Sequence, residues 1–129
     1  MRIVRILIFA AGWAAFAGAG TGSPAHQSLV RQAPPETSAK RNPWKDHDQE
    51  RARRAGAKMF ARECAACHGA QGQGGLGKAP PLRQREVYQA PPGALFWVLR
   101  NGSLRSGMPS FAHLPEPQRW QIITWLQNP

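Results

Sequence analysis

The two cysteines of the chain stand in one short segment, Cys64-Ala65-Ala66-Cys67-His68, which limits the possible folds more than any other feature. If the chain is exported, one such pair could form a disulfide. With only two residues between the cysteines, that bond would close a very small loop and constrain the unfolded chain little. A structural disulfide is therefore a poor explanation. The spacing instead places both thiols and the next imidazole on one patch the size of a helical turn.

This patch has the chemistry of covalent haem attachment. Each thiol can add across one vinyl group, and the histidine that follows then lies under the iron; Cys-x-x-Cys-His is the sequence signature of this linkage. We predict one covalent haem c per chain, attached at Cys64 and Cys67, with His68 as an axial iron ligand. A zinc site needs four ligands, usually from two such pairs, and the other three histidines lack matching spacing. A thioredoxin-like pair needs a strand–helix setting that the chain lacks.

The rest of the chain predicts little core of its own. Its 129 residues include 13 glycines and 12 prolines, which indicates many loops. Apolar residues at helical spacing predict helices over 50–63, 94–100 and 116–127. Three helices with long loops make a poor core for about 80 residues. A flat apolar haem would fill the middle, so we predict an all-α fold of three to four short helices wrapped around it.

Electron transfer by a low-spin haem needs a sixth iron ligand, and Met108 is the candidate. Met59 lies on the first predicted helix and is interpreted as packing. Met108 stands between a glycine and a proline, which favour an extended loop that presents the thioether. A sulfur ligand raises the reduction potential and closes the open iron site. Two alternatives remain: a five-coordinate iron with Met108 as a loop plug, and ligation by His113.

The N-terminus is typical of an export signal. Arg2 and Arg5 precede an apolar run of 15 residues, 6–20, which is shorter than the roughly 20 residues of a spanning helix. Residues 17–19 form a small-x-small cleavage site. We predict a signal peptide over 1–19 and an exported, periplasmic protein. The alternative is an uncleaved anchor, and only then would the chain associate with a membrane.

Composition divides the remaining chain in two. Residues 20–49 are rich in proline and carry no apolar period, which predicts a linker. The domain would then cover 50–129. Trp44 is the exception in the linker, and it either docks on the domain or faces solvent.

The formal net charge of +10 favours an anionic partner. No nucleic-acid motif is present and the arginines do not cluster with stacking aromatics, so nucleic acid is not expected. We expect redox partner proteins with an acidic docking face. Residues 72–77 spell G-x-G-x-x-G, but that pattern indicates dinucleotide binding only between a strand and a helix. Here it predicts a flexible loop near the haem edge.

Several segments together resemble class I cytochromes c of the short bacterial type. They are the helix and haem motif over 56–69, Pro80-Pro81-Leu82, Gly107-Met108-Pro109 and the closing helix with Trp125-Leu126. The resemblance covers residues 50–128. It implies the class I cytochrome c fold, in which the first and last helices cross through Gly56, Phe60 and Trp125.

The resemblance also implies a site and a function. The cofactor contacts would include Pro80, Pro81 and Leu82, with the carbonyl of one proline accepting the ring N–H of His68. The activity would be one-electron transfer, as an exported carrier or as the electron-entry subunit of a respiratory dehydrogenase or oxidase, with no catalysis by the chain itself. The alternative, if Met108 does not bind iron, is a five-coordinate haem enzyme or a gas-binding haem protein.

Overall fold

The computed structural model describes residues 24–75 and 79–129, apart from the side chains of 24–27. The predicted signal peptide lies outside these residues. The described residues form α1 (Pro24–Arg31), α2 (Pro35–Ser38), α3 (Gln49–Glu63), α4 (Ala65–His68), α5 (Arg85–Tyr88), α6 (Pro92–Asn101), a 3-10 turn (Leu104–Ser106) and α7 (Glu116–Gln127). They contain no β-strand beyond one isolated bridge between Ser103 and Met108. The all-α prediction is therefore confirmed. None of the described helices has the length and apolar character needed to cross a membrane.

The three predicted helices are present with small shifts at their ends. Helix α7 has the predicted bounds, and α3 starts one residue earlier than predicted. Helix α6 starts at Pro92 rather than Ala94. Proline lacks the backbone N–H that goes unused in a first helical turn, and its fixed φ suits that position. The proline therefore extends the helix instead of preceding it.

Helices α3 and α7 cross in close contact at Gly56. A Cβ atom on Gly56 would lie only 1.9 Å from the carbonyl oxygen of Gln121, so no larger residue fits between the two backbones. One turn further along, the rings of Phe60 and Trp125 pack with their centroids 4.3 Å apart and their planes tilted by 37°. These are the contacts that the resemblance implied. They fix α3, and the cysteine segment at its end, against the core.

Helix α7 is buried on most sides, and its buried arginine holds the loop that leads into it. Arg119 is 7% exposed and its Nη1 donates hydrogen bonds to three carbonyls within residues 111–114. The guanidinium also lies 4.8 Å from the ring centre of Phe96. These bonds secure the chain just after Met108.

The segment predicted as a linker differs from that expectation. Part of it is helical, in α1 and α2, and α2 packs against α6. Asn42 is buried and donates to the hydroxyl of Thr124 at 2.9 Å, and half-buried Trp44 packs on the core. Helices this short carry too few apolar residues to show a period, so their docking is invisible to a search for periodicity.

Candidate functional site

A single helical turn brings the two thiols and the imidazole together. Helix α3 ends at Glu63 and is followed by Cys64, whose carbonyl accepts hydrogen bonds from the backbone N–H groups of Cys67 at 3.1 Å and His68 at 2.9 Å. All three side chains line one cavity, in which Cys64 is buried and Cys67 exposed. The local chain therefore has the arrangement that two covalent links and one axial ligand require.

The free thiol of Cys64 is a poor metal ligand. Burial, together with smaller contributions from the Glu63 carboxylate and Cys67, raises its pKa to about 12. The group is thus protonated at neutral pH, whereas metal binding and thiol redox chemistry use the thiolate. The unlinked Cys64 thiol is therefore a weak nucleophile. Within the described ranges, no cluster of three or more histidine, cysteine or acidic side chains is placed to hold a metal ion.

The ring of His68 is oriented by a backbone carbonyl. Its Nδ1 lies 2.9 Å from the oxygen of Pro80. A carbonyl only accepts hydrogen bonds, so Nδ1 carries a proton and Nε2 is the nitrogen left to ligate. Such a bond fixes the tautomer and orientation of a ligating imidazole. Of the two prolines that the sequence left open, Pro80 makes the contact; the carbonyl of Pro81 accepts from Gln84 instead.

The glycine-rich loop that follows His68 packs against the haem-motif turn. The amide of Gly74 donates to the carbonyl of His68 at 2.9 Å, and the amide of Leu82 donates to Gly72 at 2.7 Å. A Cβ on Gly75 would lie 1.6 Å from the carbonyl oxygen of Cys67, so this glycine permits a close approach. No strand precedes this loop in the part of the chain that the structure describes, which removes the dinucleotide interpretation.

Met108 reaches the same cavity from a separate loop. Its backbone pairs with Ser103 through two hydrogen bonds of 2.9 and 3.0 Å, and Gly107 before it has a left-handed φ of 78°. The half-buried Met108 side chain lines the cavity. His113 does not line it: its side chain is 63% exposed and lies 3.9 Å from Glu63. Met59 also lies outside the lining and packs against the core.

The cavity fits a large apolar cofactor. Its volume is about 830 Å³, within the roughly 300–1,000 Å³ of sites that bury small molecules and cofactors. Apolar side chains form most of its wall, including Leu82, Leu95, Val98 and Leu99. Pro80 lines it as well, whereas Pro81 does not. With two thiols, one imidazole and one thioether at its surface, the cavity has the donor set that haem c requires.

Sequence reasoning missed one part of this cavity. Leu29, Val30 and Arg31 of α1 line it, although they belong to the segment predicted as a linker. The sequence signal was slight: two adjacent apolar residues in a polar stretch. Four charged side chains of the described residues line the cavity: Arg31, Glu63, Glu86 and Arg105.

Comparisons with known proteins identify a family and agree with the all-α fold. The family model described as "Cytochrome C oxidase, cbb3-type, subunit III" matches residues 51–126, more than half of the chain. Among solved structures, the fold is similar to that of cytochrome CL from the marine methylotrophic bacterium Methylophaga aminisulfidivorans MPT. The two are 23% identical with a TM-score of 0.51, over 83% of this chain and 68% of the other. No curated protein matches the chain significantly.

Proposed function

Because the chain belongs to the cytochrome c family described as cytochrome C oxidase, cbb3-type, subunit III, it carries covalent haem c and serves electron transfer, and we propose that His68 and Met108 bind the iron. One observation carries the proposal: both side chains line the same apolar cavity from separate segments. Cys64 and Cys67 are proposed to form the two thioether bonds. When bound, the haem supplies an iron that changes its charge by one electron.

The chain's own residues prepare the site for this role. The Pro80 carbonyl holds the imidazole of His68 in the tautomer that can ligate. The bridge to Ser103 fixes the backbone of Met108, so only its side chain has to be ordered when it ligates. An iron with ligands on both faces has no open position for a substrate. We therefore assign an electron carrier rather than an enzyme.

The ferric absorption spectrum of the purified holoprotein tests the ligand set. The wild type should be low-spin with a methionine–iron band. Met108→Ala should lose this band, become high-spin or take a water ligand, and have a lower reduction potential, since a soft sulfur ligand favours reduced iron. Met59→Leu is the matched control and should keep the wild-type spectrum, because Met59 lies outside the cavity lining. If Met108→Ala kept the wild-type spectrum and potential, Met108 would not be the ligand and His113 would be examined next.

Export and partner choice complete the proposal. The charged start and short apolar run of the N-terminus support export to the periplasm. The net charge of +10 favours a redox partner with an acidic face. Attraction of this kind is screened by salt, so the rate of electron exchange with an acidic redox protein should fall as ionic strength rises. A rate that does not change with salt would contradict the acidic docking face.

A further inference from the structure

The N-terminal segment forms one side of the haem cavity, although it lies outside the matched family domain. The family match begins at residue 51, whereas Leu29, Val30 and Arg31 line the cavity. Val30 is half-buried and also packs against the core. A segment that only connected a leader to a domain would have no reason to present apolar side chains to the cofactor cavity.

Contacts outside the cavity hold this segment in place. Helix α2 lies against the start of α6, where a Cβ on Gly93 would meet the carbonyl oxygen of Thr37 at 2.0 Å. Further along, Asn42 donates a buried hydrogen bond to Thr124 of α7. The segment is thus anchored to the domain at two points, through α2 and through Asn42. Helix α1 precedes both anchors in the chain.

The position of α1 determines how much of the cavity water can reach. Leu29 and Val30 add aliphatic surface to the cavity lining, and α1 packs against α5 and α6. Solvent exposure is one of the properties that set the potential of a haem, because water stabilises the more highly charged oxidised state. We propose that Leu29 and Val30 are a wall of the haem pocket, supplied from outside the family domain, that excludes water and raises the reduction potential.

Two substitutions of equal charge test this wall in the full-length holoprotein. Val30→Asp places a carboxylate in the wall, and Gln32→Asp places one on the exposed chain two residues later. A redox titration should give a lower midpoint potential for Val30→Asp than for Gln32→Asp. A carboxylate in the wall also lowers the potential by its charge alone, so the neutral Val30→Asn must lower it as well if water entry is the cause. Equal potentials in the two aspartate variants, or an unchanged potential in Val30→Asn, would overturn the proposal.

Val30→Ala keeps the test valid if Val30→Asp fails to take up haem. Loss of the half-buried methyl groups should make the backbone amides of α1 exchange with deuterium roughly fourfold faster, because it weakens the packing that protects them. The midpoint potential should fall with it. Faster exchange with an unchanged potential would show that the wall only stabilises the fold, and would refute its effect on the haem.

This inference rests on the cavity and the covalent haem, and does not depend on Met108. If the wild-type spectrum lacked the methionine–iron band, the proposed ligand set would fail. The midpoint potentials of the wild type and of the Val30 and Gln32 variants would still decide whether the wall acts on the haem.

Discussion

Replacement of Gly56 by valine tests the helix crossing that positions the haem motif. The added Cβ would lie 1.9 Å from the Gln121 carbonyl oxygen, about 1.6 Å closer than an ordinary van der Waals contact of roughly 3.5 Å. The opposing atom belongs to the backbone of α7, so no side-chain rotation relieves the clash. The helices must separate, which also loosens the Phe60–Trp125 contact one turn away.

Overpacking of a core costs roughly 1–3 kcal/mol. A clash with backbone belongs at the upper end of that range, so we expect Gly56→Val to lower the free energy of unfolding by about 3 kcal/mol. Denaturant unfolding of the holoprotein, followed by helical circular dichroism, measures this change. Ala61→Val places the same residue at an exposed position of α3 and should cost only about 0.5 kcal/mol, the difference in helix propensity. If the two variants unfolded at the same denaturant concentration, the proposed crossing would be refuted.

Substitutions at the two cysteines, at Arg119 and at Asn42 test the attachment and the supports of the site. Cys64→Ala or Cys67→Ala should leave at most one thioether, and the double variant should show no haem stain after denaturing electrophoresis; a fully stained double variant contradicts the attachment. Arg119→Met should cost roughly 2–3 kcal/mol, because it leaves buried carbonyls of the preceding loop without their charged donor; thermal unfolding measures it, and an unchanged midpoint would mean that these bonds contribute nothing. Asn42→Ala should cost about 1–2 kcal/mol through the lost buried bond to Thr124, and Arg41→Ala, at an exposed neighbour, should cost far less.

The sequence alone determined the features that depend on adjacent residues or on a regular period. The Cys-x-x-Cys-His segment needs only one helical turn to bring its groups together, so its chemistry can be predicted without knowing the fold. Helices α3 and α7 were predictable for a similar reason, since each repeats its apolar residues over three or more turns. The family comparison agrees with both.

Tertiary structure decided which distant groups meet. Pro80 and Pro81 are equivalent in sequence, and only the path of the glycine loop places the Pro80 oxygen against His68. Met108 and His113 are five residues apart, yet the bridge to Ser103 leaves the first at the cavity and the second at the surface.

The N-terminal segment shows most clearly what the sequence alone cannot predict. Its helices are too short for a detectable period, and their stability comes from packing on α5 and α6 rather than from their own sequence. A segment whose structure depends on its neighbours has no apolar period of its own, so its sequence predicts a linker. That is why the sequence determined the haem motif, while only the fold revealed that Leu29 and Val30 help to enclose the haem cavity.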